Sequence, residues 1–127
     1  MMKPAELIRA ISASCGFAAR GIGFAARSQR NFQIQLAAAI GVLAAGLAMG
    51  LSRVELAVLV LTCGLVLMGE LINTGIEFLM NLLEARHHPT VKAVKDVVAG
   101  AVFLATLSSL LIGGILFGPR LAVWVRR

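Results

Sequence analysis

Tyrosine is absent from this chain, tryptophan occurs once, and only 14% of the residues are Asp, Glu, Lys or Arg. A soluble domain would carry charge at about a quarter of its positions. With 59% hydrophobic residues in 127, the composition excludes an ordinary water-soluble fold. Cysteine is nearly absent too. Cys63 stands in an apolar run and Cys15 in an amphipathic one, and neither has metal-ligand spacing, which argues against a disulfide and against a thiolate metal site. Ser12-Ala13-Ser14 lacks the aliphatic residue of a lipoprotein cleavage site, and Lys3, Glu6 and Arg9 break up any signal-peptide core. Acidic residues are few, 6 against 12 Lys and Arg, and the net charge of +6 comes mostly from Arg near the ends. That balance suits anionic lipid headgroups. Nucleic acid fits poorly, because no exposed aromatics are interleaved with the cations. No Walker A sequence, Gly-rich loop before a Lys, or Gly-x-Ser-x-Gly elbow is present, so the familiar soluble phosphoryl-transfer enzymes are excluded.

What the chain does have is long apolar runs. The reading is an all-α membrane protein, one domain over 1–127, with an N-terminal amphipathic surface helix over 1–30 and membrane helices over about 33–51, 54–84 and 91–118. Leu7, Ile8, Ile11, Cys15, Ala18 and Ile22 share one helical face, with Arg9, Arg20 and Arg27 roughly opposite. That is the pattern of a helix lying in the membrane interface. Phe17 and Phe24 fall off the stripe, and Gly16, Gly21 and Gly23 weaken the helix. In the first span Ala37, Gly41 and Ala45 stand four apart, as do Gly46 and Gly50; Ala101, Ala105, Ser109 and Gly113 repeat the ladder in the third. Such ladders let helix backbones approach closely in lipid. Three short spans enclose little, so a site of any complexity calls for more than one copy. Lys3, Arg9, Arg20, Arg27 and Arg30 precede the first span and Arg86, Lys92 and Lys95 flank the second connection, against Arg53 alone in the first. The positive-inside rule therefore puts the N-terminus and second connection on the cytoplasmic side of the inner (plasma) membrane, with Arg120, Arg126 and Arg127 outside against the rule.

The second span ends in a polar stripe. After an uncharged run from Leu56 to Gly69, Glu70, Asn73, Glu77 and Asn81 follow at spacings of three and four. At about 100° per residue they fall within roughly 60° of one another. An acid at the centre of a membrane helix costs about 2.5–3.5 kcal/mol on insertion scales, so a functional site is the default reading. A polar face that glues helices together is the bland alternative. Carboxylates with an amide suit a hard cation such as Mg²⁺, and Lys95 and Arg86 suit phosphate oxygens. The adjacent His87 and His88 are poorly spaced for chelation, which argues against zinc. Asp96 has a plain reading as the partner of Lys92, one turn earlier. A small multidrug-type transporter subunit with Glu70 as a proton-coupled site, or an inactive assembly subunit, stays open.

The sequence Glu70-x-x-Asn73-Thr74-x-x-Glu77, followed by His88-Pro89-x-x-Lys92-x-x-Lys95-Asp96-x-x-Ala99-Gly100, resembles the signature of the prokaryotic diacylglycerol kinase family, which includes undecaprenol kinases. Asn31-Phe32-x-Ile34 extends the likeness to the mouth of the first span. The resemblance implies three transmembrane helices, an N-terminal surface helix, and a homotrimer with composite sites. It also implies γ-phosphoryl transfer from MgATP to a lipid hydroxyl, of diacylglycerol or undecaprenol, at the cytoplasmic face. Carried over, Glu70 is the general base beside the lipid and Asn73 orients the reacting groups. Glu77 binds Mg²⁺ and Lys95 with Asp96 holds nucleotide. Arg86, His87 and His88 contact ATP, Phe17 stacks near it, and Ala99 lies beside the lipid path. Gln29 stands where many members have a metal-binding Glu, and Asn81 where an Asp is common.

Overall fold

The structure, a computed structural model, describes residues 3–82 and 89–126. Arg86, His87 and His88 lie outside the described residues. Four helices make up the rest: α1 (Pro4–Ser28), α2 (Arg30–Ala48), α3 (Arg53–Leu82) and α4 (Pro89–Val125). The last three are long and apolar enough to cross a membrane. The chain is all-α.

α1 is continuous through Gly16, Gly21 and Gly23. Pro4 opens it, and the Glu6 carboxylate reaches back to accept the Lys3 backbone N–H at 3.1 Å. Leu7, Ile8 and Ile11 remain more than half exposed, while Ala25 is buried. Only the C-terminal half of α1 therefore docks within the chain. Beside Ala25, Phe24, off the apolar stripe and still half exposed, meets the ring of Phe78 of α3 edge-on at 5.5 Å.

α2 and α3 are joined by a turn that local chemistry specifies at each position. Gly50 has φ 69°, the left-handed conformation that glycine enters without a Cβ penalty. The Leu51 N–H reaches back to the Gly46 carbonyl and the Gly50 N–H to that of Leu47, closing a Schellman motif. So Gly50 is a turn residue and not part of a packing ladder. Gly46 does pack: a Cβ there would sit 3.1 Å from Leu59 Cδ2. Ala37 and Gly41 are exposed, and among the described residues a Cβ on Gly41 would meet nothing within 4 Å. Ser52 and Glu55 then form a capping box, with the Ser52 N–H on Glu55 Oε2 at 2.7 Å and the Glu55 N–H on Ser52 Oγ at 3.3 Å.

The same Glu55 carboxylate takes two N–H groups of Arg120 from α4, at 3.0 and 2.9 Å. This fork-to-fork pair ties α3 to α4 at the end away from the polar stripe, above a core of Leu51, Leu59 and Leu116. A departure from expectation lies at the same end. The third span was expected to stop near 118, yet α4 runs through Pro119 to Val125. Pro119 removes the backbone donor that the Ile115 carbonyl would have met, and the helix continues past it, with Arg120 Nη1 donating to the neighbouring Leu116 carbonyl at 2.9 Å while the guanidinium is pinned to Glu55.

Arg120→Met should lower the midpoint of thermal unfolding in detergent. Glu55→Gln added to it should lower the midpoint little further, since the partner is already gone. Fully additive losses would show that the two side chains do not act as a pair.

Candidate active site

The stripe on α3 is graded from inside to outside. Glu70 is 4% exposed, Asn73 is half-buried, and Glu77 and Asn81 are exposed. At 1.5 Å per residue Glu70 stands about 26 Å along α3 from Arg53 and Glu77 about 36 Å. A hydrocarbon core of about 30 Å that begins near Val54 thus ends between the two acids. On that measure the buried carboxylate falls just within the edge of the apolar stretch and the exposed one beyond it.

Burial of Glu70 is made tolerable by α2. Gln35 Nε2 donates to Glu70 Oε1 at 3.3 Å, while Gln35 Oε1 is buried without a partner. One turn down, Asn73 Nδ2 donates to Glu77 Oε1 at 3.3 Å, so the stripe is wired to itself at the i, i+4 spacing.

Gln29 breaks the chain between α1 and α2. Its φ of −107° and ψ of 108° are extended, making it both the C-cap of α1 and the N-cap of α2. That single kink brings Gln29, Arg30 and Asn31 over the stripe, where with Glu70, Asn73, Thr74 and Glu77 they line a recess of about 170 Å³. Gln29 Nε2 donates to Ser28 Oγ at 3.2 Å, so a cation would have to meet its carbonyl oxygen. Arg30 was not singled out for this site from sequence, where it counted only as one more N-terminal cation. Its place in the recess supplies a positive charge beside two acids, suited to phosphate.

A second recess, about 330 Å³, opens toward α4. Glu70, Asn73 and Glu77 form one wall, and Ala99, Val102 and Phe103 an apolar wall opposite. Further along, Lys95 Nζ donates to Asn81 Oδ1 at 3.1 Å. The expected pairing of Asp96 with Lys92 is not seen: among the described residues neither forms an ion pair, and both are exposed. Phe17 is 67% exposed with the Arg20 guanidinium 4.7 Å above its ring, and it lines neither recess.

Gln29, Glu70, Asn73, Glu77 and Ala99 are therefore gathered, Lys95 is tied to the foot of the stripe, and Phe17 stands apart. Among the described residues no three His, Cys, Asp or Glu side chains converge on one point. The oxygen donors present nonetheless fit Mg²⁺, which takes one or two carboxylates together with substrate phosphates and keeps several waters.

A polar recess at the membrane rim, with basic and acidic groups on one side and an apolar wall on the other, suits an anionic, water-borne reactant meeting a lipid. The family model for prokaryotic diacylglycerol kinase matches residues 16–117. The chain is 43% identical over 104 residues to the undecaprenol kinase of Bacillus subtilis (strain 168), covering 82% of this chain and 85% of that protein. It is 37% identical over 106 residues to a diacylglycerol kinase of Synechocystis sp., covering 83% of this chain and 61% of that protein. This chain belongs to the prokaryotic diacylglycerol kinase family, kinases that phosphorylate a lipid alcohol with ATP as donor.

Proposed function

We propose that the chain phosphorylates undecaprenol at the cytoplasmic face of the inner membrane, with Glu70 as general base. The observation that carries this is the burial of Glu70 where the polar recess meets the Ala99–Phe103 wall, a place where a lipid hydroxyl and a nucleotide phosphate can meet. The choice of undecaprenol over diacylglycerol is supported by the higher identity to an undecaprenol kinase, over most of that protein's length. Offering both alcohols with MgATP to the purified protein tests it. Faster phosphorylation of undecaprenol is expected, and preference for diacylglycerol would overturn the acceptor assignment.

In this reading Glu70 takes the hydroxyl proton as the alcohol oxygen bonds to the γ-phosphorus and the bond to the ADP oxygen breaks. Asn73 orients Glu77 through their hydrogen bond. Glu77 and the Gln29 carbonyl oxygen would hold Mg²⁺, which when bound draws charge from the transferring phosphoryl group. Lys95 and Asp96, with Arg86, His87 and His88 from the adjoining connection, hold the nucleotide. Phosphoryl transfer asks mainly for positioning and charge neutralisation, so this small set of side chains suffices. A transporter subunit would need one carboxylate in mid-membrane and little polarity below it. Here the stripe continues through Glu77 and Asn81 to Lys95.

The same reading places the N-terminus inside and lays α1 on the membrane surface, its uncovered Leu7, Ile8 and Ile11 against lipid. Arg120 weighs less against this orientation than its charge suggests, because Glu55 neutralises it. We further propose a homotrimer. The exposed Ala37 and Gly41 ladder offers a helix-packing face, and the open recesses and remote Phe17 suit sites completed by a neighbour. If so, mixing a Glu70→Gln chain with a Lys95→Ala chain restores part of the activity that each lacks alone. No recovery at any ratio would contradict shared sites.

A further inference from the structure

Among the described residues Gln35 makes a hydrogen bond to the buried Glu70 carboxylate, and the acceptor half of its own amide is unused. Its Nε2 donates to Glu70 Oε1 at 3.3 Å. Its Oε1 is shut away from solvent with no partner among the described residues. A buried carbonyl oxygen left unpaired costs free energy, and a catalytic role is one of the reasons a protein keeps such a group. Its surroundings do not relieve it. Gln35 stands where the catalytic recess meets a cleft of about 490 Å³ between α2, α3 and α4, whose walls are mostly apolar.

A general base inside a membrane protein poses a particular problem. Before the reaction Glu70 is an anion and needs a donor. After it has taken the alcohol's proton it carries an O–H and needs an acceptor. A fixed cation or a fixed carboxylate satisfies one state and opposes the other. A primary amide carries two donor hydrogens and an acceptor oxygen on one flat group. With nothing holding its oxygen, the Gln35 amide is free to turn about its last torsion and present either atom to Glu70.

We propose that Gln35 is the positioning residue of the general base, donating through Nε2 to the ionised Glu70 and accepting through Oε1 from the carboxylic acid formed during transfer. This rests on the reading of Glu70 as base. The step balances without another reactant. The hydroxyl proton passes to a Glu70 oxygen, the alcohol oxygen bonds to the γ-phosphorus, and the bond to the ADP oxygen breaks with its electron pair leaving on ADP. Gln35 exchanges no proton in this scheme. It keeps the carboxylate aimed in both states.

Three substitutions separate this from a packing role. Gln35→Met keeps length and volume but removes both functions. Gln35→Glu keeps the shape but, when ionised, can only accept. Gln35→His retains one donor and one acceptor on a neutral ring. Measured on the full chain in vesicles, with whichever of undecaprenol and dioleoylglycerol the wild type turns over faster, kcat should fall on the order of a hundredfold for Met and Glu, the scale of a misaimed catalytic group. KM for ATP should stay unchanged, and His should recover most of kcat. In a Glu70→Gln background the Gln35→Met change should have no further effect, because the group it aims is gone. Wild-type kcat in Gln35→Met, a raised KM with kcat intact, or an equal loss in the Glu70→Gln background would each overturn the proposal. If Glu70→Gln alone kept wild-type turnover, the reading of Glu70 would be what failed, and that result is visible before Gln35 is touched.

Discussion

Glu70→Gln is expected to leave a folded protein that binds nucleotide and phosphorylates lipid at least about a hundredfold more slowly, the scale of losing a general base. The substitution is nearly isosteric. It removes the proton acceptor while leaving a group that Gln35 can still hydrogen-bond, so the α2–α3 contact survives. The loss should therefore fall on kcat, with KM for ATP little changed. Thermal stability should stay level or rise, because a carboxylate that is 4% exposed is replaced by a neutral amide. Turnover near that of the wild type would remove Glu70 from the mechanism.

The second large effect concerns Mg²⁺. Gln29 and Glu77 face one recess, and only one of them is an acid. Glu77→Gln should raise sharply the Mg²⁺ concentration needed for half-maximal activity at fixed ATP, because the recess then keeps no carboxylate at its outer end. Gln29→Glu should lower that concentration. It exchanges a neutral oxygen for an ionised one in a partly desolvated site, where Coulomb attraction is less screened than in bulk water. A midpoint that moves for Glu77→Gln and stays put for Gln29→Glu would mean that the α1–α2 joint contributes no ligand.

The polar stripe was legible because helical periodicity maps sequence spacing onto a face, and Glu70, Asn73, Glu77 and Asn81 share one whatever packs against it. Chain order also carries the three spans, since apolar length alone makes them. What packs against the stripe was not legible. Gln35 reads as one residue of a polar lead, and its contact with Glu70 bridges 35 positions. The Arg120–Glu55 pair bridges 65, and from sequence Arg120 was merely a cation on the wrong side. Two further local signals are readable in the sequence. Ser52-x-x-Glu55 is a capping box in plain sight, and Gly50 just past an apolar helix is a stop signal more than a packing residue. The glycines of α1 misled in the other direction. Propensity counts against them, but the docking of Ala25 and Phe24 on α3 outweighs it.

The central claim is that phosphate passes from ATP to a lipid hydroxyl at Glu70. The most direct measurement follows the label from [γ-³²P]ATP with purified protein in vesicles containing undecaprenol or diacylglycerol. Wild-type protein should move label into the organic extract as a lipid monophosphate, only when the alcohol is present, and Glu70→Gln should leave the extract almost unlabelled. Label released solely as inorganic phosphate, or equal lipid labelling by wild type and Glu70→Gln, would contradict the account.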